Sequence, residues 1–132
     1  MVKSFAFGLC GAVLATVAVA EAPVETGKLD GRTVTLHVQP FLNATELSTL
    51  RLVMTNRDAL KVFVTNTKDF AALAMAPNEG FIRDGGLVES AKAVGGAPDA
   101  ATAAADALAS CDATRKKNGK PCVVVLEVGP TG

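Results

Sequence analysis

The segment from 98 to 128 constrains the fold more than any other part of this 132-residue chain. It begins with an alanine-rich stretch, residues 98–115, which predicts a helix because alanine is the best helix former. An Asn-Gly turn follows, and the valine-rich residues 121–128 predict a β-strand. One cysteine, Cys111, lies in the last turns of the predicted helix, and another, Cys122, lies at the start of the strand. The sequence therefore predicts a helix and a strand that meet at a pair of cysteines.

The predicted helix is amphipathic, because it carries an apolar and a polar stripe that each repeat every three or four residues. We expect the apolar stripe to face the core, which would bury the cysteine at its end. The apolar stripe consists of Ala101, Ala104, Leu108 and Cys111, and the polar stripe of Asp99, Thr102, Asp106 and Ser110.

Three chemistries could explain the two cysteines, and the rest of the chain favours a structural disulfide. A zinc site would need three or four ligands at short spacings, and His37 is the single histidine of the chain. A redox centre of the thioredoxin type would need C-x-x-C, whereas ten residues separate Cys111 from Cys122. A nucleophilic cysteine would need a nearby base, for which His37 is again the one candidate. We predict a structural Cys111–Cys122 disulfide, with an exchangeable pair and a metal site as less favoured alternatives.

Residues 1–20, MVKSFAFGLCGAVLATVAVA, have the pattern of a secretory signal peptide. A basic residue, Lys3, precedes an uncharged apolar run that ends in small side chains. We predict cleavage between Ala20 and Glu21, which places the mature chain in the periplasm or outside the cell, where disulfides persist. An uncleaved membrane anchor is the alternative, but the apolar run is near the lower limit for crossing a bilayer. After cleavage we expect no membrane association.

Sequence periodicity predicts the first half of the scaffold. Residues 32–40 alternate apolar and polar side chains, as a half-buried strand does, with His37 on the polar face. Asn43 and Glu46 outline the capping box of a helix that ends near residue 56. We expect residues 21–31, which precede this strand, to be a flexible segment, and residues 32–129 to form a single domain.

Three further strands are predicted over 59–66, 70–78 and 87–94, with a hairpin across 77–86. The full order is then β-α-β-β-β-α-β. This order predicts an α+β two-layer sandwich, in which a mainly antiparallel sheet of four or five strands carries two helices on one face. If residues 59–66 are not a strand, the order becomes the split β-α-β arrangement of the ferredoxin fold.

Composition argues against several functions. The 13 basic and 13 acidic residues balance, so we expect no binding of nucleic acid. Trp and Tyr, the usual aromatic anchors of binding sites, are absent. We interpret His37 as an exposed surface residue, and we predict no catalytic residue, no cofactor site and no metal site. The sequence favours a non-catalytic, partner-binding or accessory domain, with a small enzyme as the alternative.

Four positive charges lie within six residues of the segment between the two cysteines. They are Arg115, Lys116, Lys117 and Lys120. One interpretation is a solvated helix end, where cations match the helix dipole. The other is a surface that binds an acidic partner, because a loop held by a disulfide loses less entropy on binding.

Three segments of the C-terminal half form a further pattern: FAALAMAPNEGF, the helix DAATAAADALASC that ends in Cys111, and KKNGKPCVVVLEV with Cys122 before its valines. Over about residues 69–128 this pattern resembles a family of small secreted bacterial domains of unknown function. Short alphaproteobacterial proteins with a similar pattern carry the label 5-aminolevulinic acid synthase. The resemblance implies export and a paired Cys111–Cys122, and the label would imply a tetrapyrrole-related role. No catalytic residue is carried over by it.

Overall fold

The computed structural model describes residues 23–64 and 69–131, which contain seven strands and three helices. The predicted signal peptide and its cleavage site at Ala20 and Glu21 lie outside the described residues. None of the helices in these two ranges combines the length and apolar character that a membrane crossing requires. The strands are β1 (Val24–Leu29), β2 (Arg32–His37), β3 (Phe70–Met75), β4 (Ile82–Arg83), β5 (Gly86–Leu87), β6 (Lys92–Ala97) and β7 (Val123–Pro130); the helices are α1 (Ala44–Thr55), α2 (Arg57–Phe63) and α3 (Ala100–Thr114).

Five of the strands form one sheet in the order β1-β2-β7-β3-β6, and all of its neighbouring strands are antiparallel. The short strands β4 and β5 form a separate hairpin. The predicted α+β class with a mainly antiparallel sheet is therefore confirmed. The alternation of β2 is confirmed as well, since Val34 and Leu36 are buried while Thr33, Thr35 and His37 are half-buried on the other face.

Helices cover both faces of the sheet, whereas the sequence predicts two helices on one face. The reason lies in β3, whose residues alternate between two separate cores. Leu73 and Met75 pack with α1 and α2, while Ala72 and Ala74 pack with α3. A strand that is apolar on both sides needs cover on both faces.

A β-bulge in β7 determines which of its residues lie in each of the two cores. Leu73 pairs with Leu126 and the next residue of β3, Ala74, pairs with Val124, so that β7 has one extra residue at Val125. Val125 and Leu126 consequently both lie in the core under α1 and α2. Val124 packs against the core under α3.

The predicted strand 59–66 is wrong, because residues Arg57–Phe63 form α2. The side chain of Asn56 accepts a hydrogen bond from the backbone N–H of Ala59 at 3.0 Å and so caps the helix. Asp58 in the first turn and Lys61 in the last turn match the helix dipole. Local capping therefore outweighs the strand preference of the apolar run, and α2 packs beside α1 through the buried Leu60.

The segment 21–31 is not flexible throughout, because β1 pairs along its whole length with β2. The turn between them contains Asp30 and Gly31, which both have positive φ, at 53° and 74°. An Asp-Gly pair of this kind is typical of tight hairpins. The sheet therefore begins earlier than the sequence predicts.

The remaining elements differ from the predictions mainly in their bounds. Helix α1 has the complete predicted capping box. The side chain of Asn43 accepts a hydrogen bond from the backbone N–H of Glu46, and the side chain of Glu46 accepts one from the backbone N–H of Asn43. The predicted strand 87–94 is replaced by β5 and by β6, which runs through Gly95 and Gly96. In α3 the buried residues are Ala103, Ala107 and Cys111, so the inward stripe is rotated away from the predicted Ala101.

Candidate functional site

An apolar groove lies on the face of the sheet against which α1 and α2 pack. Its floor is a row of cross-strand neighbours, in which Leu73 of β3 lies between Leu126 of β7 and Ala93 of β6. Helices α1 and α2 do not cover this end of the sheet, so Ala93 is exposed while Leu126 is fully buried. The groove has a volume of about 480 Å³.

Three elements form the walls of the groove, and nearly all of their side chains there are apolar. The α1 wall includes Leu52, which is 48 % exposed, and the α2 wall includes Val62, which is 88 % exposed. The opposite wall is the β4–β5 segment with Phe81 and Leu87, of which Leu87 is 85 % exposed. Large apolar side chains on both sides of the groove are therefore exposed to solvent.

A buried carboxylate fixes the β4–β5 wall to α1. Glu46, in the first turn of α1, has no solvent exposure. Its Oε2 accepts hydrogen bonds from the backbone N–H groups of Phe81 and Ile82 at 2.7 and 2.9 Å. The guanidinium of Arg83 donates to both carboxylate oxygens, at 3.1 and 3.2 Å. Two segments that are far apart in sequence are thus held together at one end of the groove.

These hydrogen bonds determine the charge of Glu46. Burial alone would raise the pKa of its carboxyl, but the hydrogen bonds from Arg83 and from the N–H groups of Asn43, Ile82 and Phe81 outweigh burial and lower the pKa to about 2. The group is therefore an ionised, fully paired carboxylate at neutral pH.

Gly80 permits this close packing. It has a φ of 64°, in the left-handed region that favours glycine. A Cβ at this position would collide with the Glu46 carboxylate and the Arg83 guanidinium.

Of the four basic residues in the predicted loop, Arg115 has a structural role and the three lysines are exposed. Arg115 forms an ion pair with Asp112 at 2.7 Å and donates to the carbonyl oxygens of Gly119 and Lys116 at 2.9 and 3.2 Å. Its guanidinium therefore holds the turn of the loop from inside. Lys116, Lys117 and Lys120 are exposed.

The same loop is attached to the turn that follows β3. The Glu79 carboxylate accepts the backbone N–H of Lys116 at 3.0 Å and the Ser90 hydroxyl at 2.7 Å. The hydrogen bonds from Lys116 and Ser90 lower the pKa of Glu79. Beside them opens a polar cleft of about 460 Å³, lined by Asn78, Glu79, Arg83, Asp84, Val88 and Lys116. Its lining carries both signs of charge, so it has no single electrostatic preference.

The predicted disulfide is present between Cys111 and Cys122, whose Cα atoms are 6.1 Å apart. Both cysteines are buried in the core under α3. Asp112 Oδ1 accepts the backbone N–H of Cys122 at 3.0 Å, and this hydrogen bond, with that from Arg115, lowers the pKa of the Asp112 carboxyl. The bridge and this network hold the loop to the end of α3.

His37 is not simply exposed, as the sequence suggests, but half-buried and paired. Its Nε2 lies 2.8 Å from Oε2 of Glu127, and the two side chains are 29 % and 34 % exposed. The pair lies on the sheet face away from the groove. Within residues 23–64 and 69–131, no three His, Cys, Asp or Glu side chains are grouped closely enough to hold a metal ion.

Sequence reasoning missed the groove and the side chains that border it. Val62 lies in the run that predicts a strand, and Leu87 begins another predicted strand, so each is expected to be part of a sheet. Only α2 and the β4–β5 hairpin together place them on opposite walls. The capping box did identify Glu46, but nothing local indicates that Arg83 is its partner.

Comparison of the chain with protein-family models, curated proteins and solved structures gave no match.

Proposed function

We propose that this chain is an exported, non-catalytic domain that acts by binding a protein, and that the apolar groove is its binding site. The observation that carries the proposal is the pair of exposed apolar side chains, Val62 and Leu87, on opposite walls of an apolar depression. Apolar surface that is grouped in this way is typical of protein interaction sites.

The chemistry of the lining favours apolar protein side chains over a polar small molecule. Small-molecule sites usually combine an apolar lining with a few polar groups that fix the orientation of the ligand. Among the described residues that line the groove, Thr49 alone has a polar side chain, and its hydroxyl donates to the carbonyl oxygen of Thr45 within α1 at 2.8 Å. The groove therefore offers shape and apolar contact rather than directed hydrogen bonds.

The signal-peptide pattern and the disulfide support a periplasmic or secreted location. A buried bridge between Cys111 and Cys122 is compatible with an oxidising compartment. The resemblance of the C-terminal half to small secreted bacterial domains points in the same direction.

The groove can be tested by placing a photo-crosslinking residue at Leu87 in the native host. We expect irradiation to give a discrete protein adduct, which Val62→Asp suppresses because a charge would then face the apolar partner. Thr26 is the matched control position, since it is exposed on the sheet face away from the groove. Mass spectrometry of the adduct identifies the partner and the contact. Equal adducts from both positions, or none from Leu87, would contradict the proposal.

The exposed lysines could add electrostatic attraction for an acidic partner. Reversing Lys116 and Lys117 to glutamate should then slow association at low salt, by up to about tenfold, and the effect should fade as salt increases. Surface plasmon resonance with the crosslinked partner measures the rates, and the melting curve of the variant verifies that the fold is intact, since residue 116 lies beside the Glu79 carboxylate. Rates that are the same as in the wild type at every salt concentration would show that the loop is only a solvated helix end.

A small enzyme is the second candidate, and the His37–Glu127 pair is the observation that favours it. A histidine held by a carboxylate can act as a general base. The tetrapyrrole-related role that the resemblance implies is a variant of this candidate. A bound pyridoxal or haem chromophore in protein purified from the host would favour it over the binding domain.

A further inference from the structure

Among the helices that the structure describes, none covers the groove, which forms a strip beside α1 and α2 on this face of the sheet. Helix α1 packs over β1 and β2 and beside α2, whereas the floor of the strip is formed by residues of β7, β3 and β6, namely Leu126, Leu73 and Ala93. The axes of three neighbouring strands span about 10 Å, which is also about the diameter of a helix with its side chains. The strip is therefore wide enough for one helix that lies against the walls.

Helix α2 has the features that such an occupant needs. It is seven residues long, and its buried Leu60 faces its own core while Val62 is 88 % exposed. The same face of the molecule thus carries both an apolar projection and an apolar depression. This combination is what an isologous two-fold interface requires, because each copy must supply the surface that the other receives.

Helix α2 carries both acidic and basic exposed side chains, which favours a second copy of the chain over a partner whose surface is only acidic or only basic. Asp58 and Lys61 are both exposed and lie four residues and one residue before Val62 in α2. If two α2 helices pack antiparallel across a two-fold axis, Asp58 of each copy faces Lys61 of the other, which gives two reciprocal ion pairs. The full chain has a formal net charge of zero, and loss of Lys3 with the predicted signal peptide leaves −1, so two copies have no large long-range repulsion to overcome.

We infer that the occupant of the groove is a second copy of this chain, which forms a two-fold dimer with Val62 of each copy over the groove of the other. This inference rests on the proposed function and identifies the partner of the same site.

Analytical ultracentrifugation of the mature protein from micromolar to millimolar concentration tests the dimer. We expect the wild type to change from monomer to dimer over this range. Val62→Asp should weaken dimerisation by more than about tenfold, because it places a charge over an apolar groove. Val24→Asp is the matched control, since Val24 is also exposed, at 56 %, but lies on β1 away from the groove. The melting curve of each variant verifies that the monomer is intact.

Charge reversal tests the geometry of the dimer. Asp58→Lys should weaken dimerisation, because two lysines then face each other, and the additional Lys61→Asp should restore it. A protein that stays monomeric at millimolar concentration, or a double variant that does not recover, would overturn the inference. If the monomer still crosslinks a different protein from Leu87, the proposed function stands without the dimer. If Leu87 gives no adduct either, both are wrong.

Discussion

An alanine at position 46 is expected to lower the free energy of unfolding by about 3–5 kcal/mol. Glu46 is fully buried and accepts hydrogen bonds from the backbone of three residues and from Arg83. Its removal leaves the Arg83 guanidinium without its carboxylate and two N–H groups of the hairpin wall without an acceptor. The side chain of Arg83 is 34 % exposed and can be hydrated, but the N–H of Phe81 is buried, and an unpaired buried donor is among the costliest consequences of a single substitution.

Denaturation with urea, followed by circular dichroism, measures the loss. Glu89→Ala is the matched control, because Glu89 is an exposed glutamate in the segment that follows the same hairpin. It should change the free energy of unfolding by no more than about 0.5 kcal/mol. A loss below about 1 kcal/mol for Glu46→Ala would mean that water replaces the carboxylate and that the hairpin is not held by this contact.

The ionisation of Glu46 also predicts a pH dependence. Its pKa in the folded protein is about 2, against 4.5 in the unfolded chain, so its charge stabilises the fold fully only above about pH 4.5. A shift of this size corresponds to about 3 kcal/mol. That contribution is lost as the pH falls from 4.5 towards 2, where the folded carboxyl becomes protonated. The difference in stability between wild type and Glu46→Gln should therefore shrink over this range.

Other carboxyl groups do not obscure this measurement. Glu79 and Asp112 also have lowered pKa values, but they are present in both proteins and cancel in the difference. A difference that stays constant from neutral pH to pH 2 would contradict the assigned ionisation of Glu46.

The parts of the fold that the sequence predicts well are those whose signals are local. The capping box of α1 joins residues three positions apart, and the alternation of β2 needs only its own six residues. The alanine-rich helix, the Asn-Gly turn and the valine-rich strand are consecutive, so their packing against one another follows from the short loop and the two cysteines. These predictions do not depend on the rest of the chain.

The errors arise where neighbouring structure decides between two local preferences. Residues 59–64 are apolar and β-branched enough for a strand, but the cap at Asn56 and the contact of Leu60 with the core favour α2. Short apolar runs do not distinguish buried helices from strands. The sequence of β1 does not indicate a strand, because it contains polar residues such as Glu25 and Lys28. Its pairing with β2 depends on the turn at Asp30 and Gly31.

The groove could not be predicted, because it is defined by a part of the sheet that none of the described helices covers. Leu73 and Ala93 become its floor only through the strand order, in which β6 is an edge. The walls come from separate segments of the chain, and Glu46 and Arg83 fix the position of one of them. Exposed residues such as Val62 and Leu87 look like core residues in the sequence, and only the tertiary arrangement shows that they are on the surface.

Loss of the Cys111–Cys122 bridge is expected to lower the free energy of unfolding by about 3 kcal/mol. The bridge closes a loop with a sequence separation of 11 residues, and the chain-entropy model gives about this value for a loop of that size. The double variant Cys111→Ala/Cys122→Ala should nevertheless fold, because Arg115 still holds the carbonyl oxygens of the loop and Asp112 still accepts the N–H of residue 122. Stability should fall while the fold remains.

Thermal melting with and without reductant provides the measurement. The double variant is the control for the wild type, because it has no bridge to reduce. Reductant should lower the melting temperature of the wild type towards that of the variant and should leave the variant unchanged. Thiol labelling of the native wild type without reductant should give no product at either cysteine, since both are bridged and buried. If the variant is less stable by under about 1 kcal/mol, the prediction is wrong. The bridge would then restrict the unfolded chain less than the chain-entropy model assumes, and the hydrogen bonds of Arg115 and Asp112 would suffice to order the loop.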